Sequence, residues 1–153
     1  MVVILILATM LISSFAHLQS RAEKASCINN LKNLYVAANG HIQDQRSWPQ
    51  VKAPAKSAEY AIGWRRALEP YGIGNVNWVC PTIQRSMDSP DLAEPGNERV
   101  DYMATAFDAN PMSPHKWPKH PWFIERGDVH GDGNLVLFAN GNIKTLSDIS
   151  HGR

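Results

Sequence analysis

The stretch HGDGNLVLFANGNIKTL, His130 to Leu146, decides how the C-terminal part of this chain folds. Taken with Asp128, its left edge offers oxygen ligands in the manner of a Ca2+ loop. Its right edge offers two apolar runs, LVLF and NIKTL, joined through Asn140-Gly141. A type I′ turn needs positive φ at both central residues, which Asn and Gly adopt at little cost, so Asn-Gly between such runs signals a β-hairpin. That turn faces Ala139 with Asn142, Phe138 with Ile143 and Val136 with Thr145, and it puts Val136, Phe138 and Ile143 on one face. The metal pattern fails at its decisive position: an EF-hand loop starting at Asp128 has His130 third, and Ala139 where a bidentate Glu belongs. What remains is a looser Ca2+ site through Asp128, Asp132 and backbone carbonyls, or a plain turn in which Gly131, Asp132, Gly133 and Asn134 lead into the hairpin.

Upstream of the hairpin, WFIE and VDYMATAF (Val100 to Phe107) read as strands, separated by the proline-rich loop DANPMSPHKWPKHP. Residues 83 to 99 have the Ser, Asp, Pro, Glu and Gly content of an exposed loop. NVNWVCPT, between Gly74 and Pro81, reads as a strand or extended segment. Ser57 caps a short helix with Tyr60, Trp64, Ala67 and Leu68 on its apolar face, and Pro70 ends it. HIQDQRSWPQVKAPAKS, after Gly40, reads as a loop.

The N-terminus is of another kind. Met1 to Leu18 contains no Asp, Glu, Lys or Arg, and as a helix it reaches roughly 27 Å, enough to span a bilayer. A cleaved secretory signal with its exit near Ser14-Phe15-Ala16 is the rival reading, but no basic residue precedes the block and no turn-former follows Ala16 until Gly40. The helix therefore continues, now amphipathic, with Ala25, Ile28, Leu31, Tyr35 and Ala38 at three- and four-residue spacing. The expected organisation is a transmembrane half (1–18), an amphipathic half (19–40) and a globular α+β body (41–153). The spine has about 40 residues and a length of roughly 60 Å. Arg21, Lys24 and Lys32 follow the apolar block, so the positive-inside rule taken alone puts the body in the cytoplasm.

The 153 residues suit one domain, and a net charge of +1 supplies no field for nucleic acid. Two cysteines, Cys27 and Cys80, either bond in an oxidising compartment, for about 4 kcal/mol on the chain-entropy model, or stay buried thiols in a reducing one. No G-x-S-x-G, P-loop, H-E-x-x-H or C-x-x-C pattern occurs, which argues against an enzyme.

Taken together, the long apolar-then-amphipathic helix, the run SCINNLKNL, the mid-chain Cys80-Pro81 and the terminal H-x9-NG hairpin resemble the type IV pilin-like and type II secretion pseudopilin-like proteins. Within these the likeness is to the prepilin-type, processing-associated H-X9-DG group. It covers Val2 to Asn39 and Trp122 to Leu146 well, and the middle only through WVCPT and the helix before it. His130 matches the family His, and Asn140-Gly141 stands where the family has Asp-Gly. Both dipeptides favour the same turn, so the exchange fits a structural pair and no catalytic group is implied. Cys27 and Cys80-Pro81 match family positions as well. The basic leader, Gly cleavage point and following Phe-Thr-Leu-Ile-Glu of such proteins do not appear ahead of the apolar run. Prepilin peptidase is thus an expected partner only where an upstream leader exists, and such a leader would place the body in the periplasm.

The resemblance implies a pilin-like fold, with a membrane-spanning spine packed on a small antiparallel sheet. It also implies a non-enzymatic subunit of a pilus or secretion pseudopilus in the bacterial inner membrane, with other pilin-like subunits and an inner-membrane assembly platform as partners and no cofactor. The alternative is an anchored binding module for carbohydrate or metal. It would use loop 115–123, where Trp117 and Trp122 stand beside His115, Lys116, Lys119 and His120.

Overall fold

The computed structural model describes residues 2–55, 57–86 and 99–152, the side chains of 2–16 and of Ser86 excepted. The architecture is α+β: a long N-terminal helix, four short helices and a four-stranded antiparallel sheet. Helix α1 runs Val2–Gln45, α2 Ala58–Leu68, α3 Pro81–Ser86, α4 Ser113–Lys116 and α5 Leu146–Ser150. The strands are β1 Tyr102–Ala104, β2 Pro121–Glu125, β3 Leu135–Phe138 and β4 Ile143–Thr145, in the spatial order β1-β2-β3-β4. Each strand therefore pairs with its neighbour in sequence, as consecutive strands commonly do.

Gly40 does not stop α1. The helix passes through it, the missing side chain making room for the Tyr71 ring, whose Cδ1 would lie 2.8 Å from a Cβ there, and it ends only where Arg46 turns left-handed at φ 53°. The buried face of α1 consists of Cys27, Leu31, Leu34, Ala37, Ala38 and Ile42. It overlaps the expected stripe at Leu31 and Ala38 but leaves Ala25 exposed. Helix α2 begins as expected, with the Tyr60 amide donating to Ser57 Oγ at 3.1 Å, and it buries Tyr60, Ala61, Trp64 and Leu68.

NVNWVCPT is not a strand. Asn77 Oδ1 accepts from the Gly74 amide at 3.0 Å and closes a 3-10 turn over Asn75–Trp78. Pro81 then opens α3, its missing N–H costing nothing at a helix start, so residues 83–86 are helix and not loop. The rest of the expected loop, 87–98, lies outside the described residues.

The hairpin forms, but in another register. Leu135 pairs with Thr145, Val136 with Lys144 and Leu137 with Ile143. The Gly141 amide donates to the Phe138 carbonyl and the Phe138 amide to the Asn142 carbonyl, both at 2.9 Å. Gly141 alone in the turn has positive φ, at 79°. The connection is thus three residues long, a type I turn closed by a left-handed Gly, and not the two-residue I′ turn. One extra loop residue moves every β4 side chain to the opposite face. Ile143 joins Leu135 and Leu137 on the core side, and Lys144 faces out.

Among the described residues no helix is long and apolar enough to cross a membrane, and this finding overturns the expected single-pass placement in a bacterial inner membrane with the body in the periplasm. From His17 onward α1 carries Arg21, Glu23, Lys24 and Lys32, and each such charge at a bilayer centre costs about 2.5–3.5 kcal/mol. The side chains of the apolar block up to Ala16 lie outside the described residues.

The core lies between α1, α2 and the sheet and is dominated by aromatic rings. Trp48 sits at its middle, with ring centroids 5.0 Å from Trp122, 5.2 Å from Phe107 and 5.7 Å from Trp64. Its indole N–H donates to the Thr105 carbonyl at 2.9 Å, so a large apolar surface is buried without an orphaned donor.

Candidate functional site

Where α1, the Cys80-Pro81 turn and the sheet meet, the core changes character. Cys27 and Cys80 are fully buried free thiols with their sulfurs 2.6 Å apart. Beside them stand Glu125, 1% exposed, and His130, whose side chain is 1% exposed. One ligand atom from each of these four residues lies within 4.8 Å of all the others.

Each element delivers its residue for a local reason. Cys27 begins the buried face of α1. Cys80 is fixed because its amide donates to Asp101 Oδ2 at 2.9 Å, while Arg99 holds the other oxygen of that carboxylate at 3.0 Å. Glu125 ends β2, opposite Tyr102 of β1, and points inward by strand alternation from Phe123. His130 comes from the β2–β3 connection, held by Asp128, whose Oδ1 accepts from the Gly131 and Gly133 amides at 3.0 Å. His130 Nε2 lies 3.3 Å from Glu125 Oε1 and 3.9 Å from Cys80 Sγ, whereas its Nδ1 is buried with no hydrogen-bond partner.

The electrostatics follow from burial. The Cys27–Cys80 hydrogen bond is the largest influence on both thiols; it raises Cys27, with burial acting the same way, and lowers Cys80 to about 6 against burial. Burial pushes the Glu125 carboxyl up to about 7, reinforced by the charge of Cys80 and relieved in part by His130. Tyr102, fully buried beside Cys27, is raised chiefly by burial. The arrangement gathers two soft sulfur donors, an imidazole and a carboxylate in a pocket closed to water. Chemically that set suits metal ligation or thiol redox chemistry.

The structure thus brings together Cys27, Cys80 and His130, three sequence-marked residues that lie far apart in the chain. Asn140 and Gly141 are elsewhere, at the hairpin tip against α1. There the Tyr35 hydroxyl donates to the Ala139 carbonyl at 3.2 Å, and a Cβ on Gly141 would meet the Tyr35 ring at 3.3 Å. Asp128 and Asp132 serve the turn: the first caps it, and the second forms an ion pair with Lys24 of α1. Glu125 was not marked by sequence reasoning. Its signal was a charge at the inward position of an otherwise apolar strand, WFIE.

Loop 115–123 divides. Trp122 is fully buried and its indole donates to the Pro114 carbonyl at 2.8 Å. Trp117 is 59% exposed, with the Lys116 ammonium 5.4 Å from its ring centroid. No family model, curated protein or solved structure matches the chain.

Proposed function

We propose that the protein is a non-enzymatic structural subunit that associates with other copies of pilin-like shape through the N-terminal part of α1. The supporting observation is that α1 is one helix from Val2, whereas the first buried residue along its described side chains is Cys27. At the point of departure Glu23 accepts from Arg85 at 2.5 Å and from Thr82 at 3.1 Å, contacts that fix the direction in which the helix leaves the body. The segment ahead of Cys27 extends the helix by roughly 37 Å and contains the apolar run VVILILATMLISSFA. Apolar residues gain about 25 cal/mol for each Å² of apolar surface that a neighbouring helix removes from water. Ile6→Lys and Leu11→Lys variants are expected to lose self-association in sedimentation and electron microscopy, with the thermal unfolding of the body unchanged. Undiminished association in both variants would sink the proposal.

A second reading rests on Trp117. Its exposed ring, with Lys116 beside it and His115, Lys119 and His120 exposed in the same loop, is suited to stacking on a sugar ring. Trp122, buried in the core, is withdrawn from that role. Glycan-array binding that disappears in Trp117→Ala would favour this reading over the scaffold; the absence of any array signal from the unmodified chain would remove it.

A further inference from the structure

We propose that Cys27, Cys80, Glu125 and His130 form a closed four-ligand Zn2+ site that ties α1 to the Cys80-Pro81 turn and to the sheet. The inference is independent of how copies of the chain associate. Structural zinc is bound tetrahedrally by Cys, His and carboxylate ligands, with bonds of about 2.3 Å to sulfur and about 2.0–2.2 Å to nitrogen and oxygen. Those bonds imply ligand-to-ligand edges of roughly 3.4 to 3.8 Å. The observed His130–Glu125 and His130–Cys80 separations, 3.3 and 3.9 Å, already have that size. The two sulfurs, at 2.6 Å, must move apart, and the remaining pairs, all within 4.8 Å, need close by no more than about 1 Å.

The choice of residues argues the same way. A disulfide needs nothing beyond Cys27 and Cys80. It leaves unexplained why a carboxylate and an imidazole, each about 1% exposed, are buried against the same sulfurs, since burying such groups costs more than an apolar pair of the same shape. As ligands all four have a reason to be there. Thiolate with imidazole selects Zn2+ over Mg2+ or Ca2+, which prefer oxygen alone. The metal takes Cys27 and Cys80 as thiolates and Glu125 as carboxylate, any proton these groups hold passing to solvent on binding; His130 coordinates as the neutral imidazole through Nε2, and two thiolates with one carboxylate leave the centre one negative charge. Four protein ligands leave no position for substrate, so the role is structural.

The experiment uses the full chain without an affinity tag, reduced and stripped with a chelator, then titrated with Co2+ and afterwards with Zn2+. The expected result is about one Co2+ per chain, with a thiolate-to-metal charge-transfer band and the visible bands of tetrahedral cobalt, all displaced by Zn2+. Glu125→Gln is expected to weaken Zn2+ binding by at least about tenfold, and Cys80→Ser to remove the charge-transfer band. Circular dichroism separates these losses from misfolding, and the spectrum of the unmodified chain stands whether or not the variants fold. Three results would overturn the proposal: no tetrahedral cobalt spectrum in the reduced chain, a spectrum unchanged by His130→Ala, or recovery of the chain with Cys27 and Cys80 in a disulfide that resists reduction.

Discussion

The two ends of the core are equally dry and differently built. Around Trp48 the side chains are large rings held by area and dispersion; the Trp48 and Trp122 indole N–H groups have carbonyl partners, whereas the buried Trp78 indole N–H has no hydrogen-bond partner. Around Cys27 the decisive side chains are ionisable, Cys80, Glu125, His130 and Tyr102, and their worth depends on which neighbours they have. The first kind of packing tolerates a change of shape in proportion to the volume lost. The second changes sign with its chemistry: a buried ionisable group is costly alone and acceptable when paired.

The largest effect is expected at the aromatic end. Trp48→Ala should cost about 3–5 kcal/mol, because four neighbouring rings cannot close the cavity; urea unfolding measures it, and a loss under about 1 kcal/mol would show the core to be plastic. At the other end, in reduced and metal-free protein, Glu125→Leu should cost about 2–3 kcal/mol because His130 loses the partner 3.3 Å away. Replacing both residues, Glu125→Leu with His130→Leu, should restore most of that stability. A double variant as unstable as the sum of the single ones would erase the distinction between the two ends. The smallest effect is expected at the hairpin tip: Gly141→Ala should cost about 1–2 kcal/mol, since φ is 79° and the new methyl presses on Tyr35.

The sequence carried the elements better than their relations. Apolar spacing announced α1, and Ser57 announced the start of α2, because both signals are local and their physics is completed within a turn or two of helix. Asn140-Gly141 announced a hairpin and misled on its register. The dipeptide fits two turn types, and what separates them is whether Asn140 or only Gly141 goes left-handed. The contact of Gly141 with Tyr35, a hundred residues upstream, belongs to that choice and cannot be read locally. NVNWVCPT looked like a strand through its valines, but the Asn77 side chain satisfied the Gly74 amide first. Of the buried cluster, Cys27, Cys80 and His130 were visible as unusual residues. Their meeting was not, since it depends on α1 crossing the sheet near Glu125. Trp48 gave no sign of being central, because loop context in sequence does not reveal burial.

The ordering of the sheet has a consequence for how the chain reaches this state. Every strand pairing joins neighbours along the chain, and the longest connection is residues 105–120, so the cost of loop closure in the meander is modest. The contacts of the cluster are of another reach: Glu125 and His130 are 5 residues apart, whereas Cys80 lies 50 from His130 and 53 from Cys27. The half of the cluster carried by the sheet is thus assembled by local folding, and the sulfurs arrive with the docking of α1. Burial of the two thiols is therefore expected to come late in folding, and their loss of reactivity toward an alkylating reagent during refolding is the measurement that checks it.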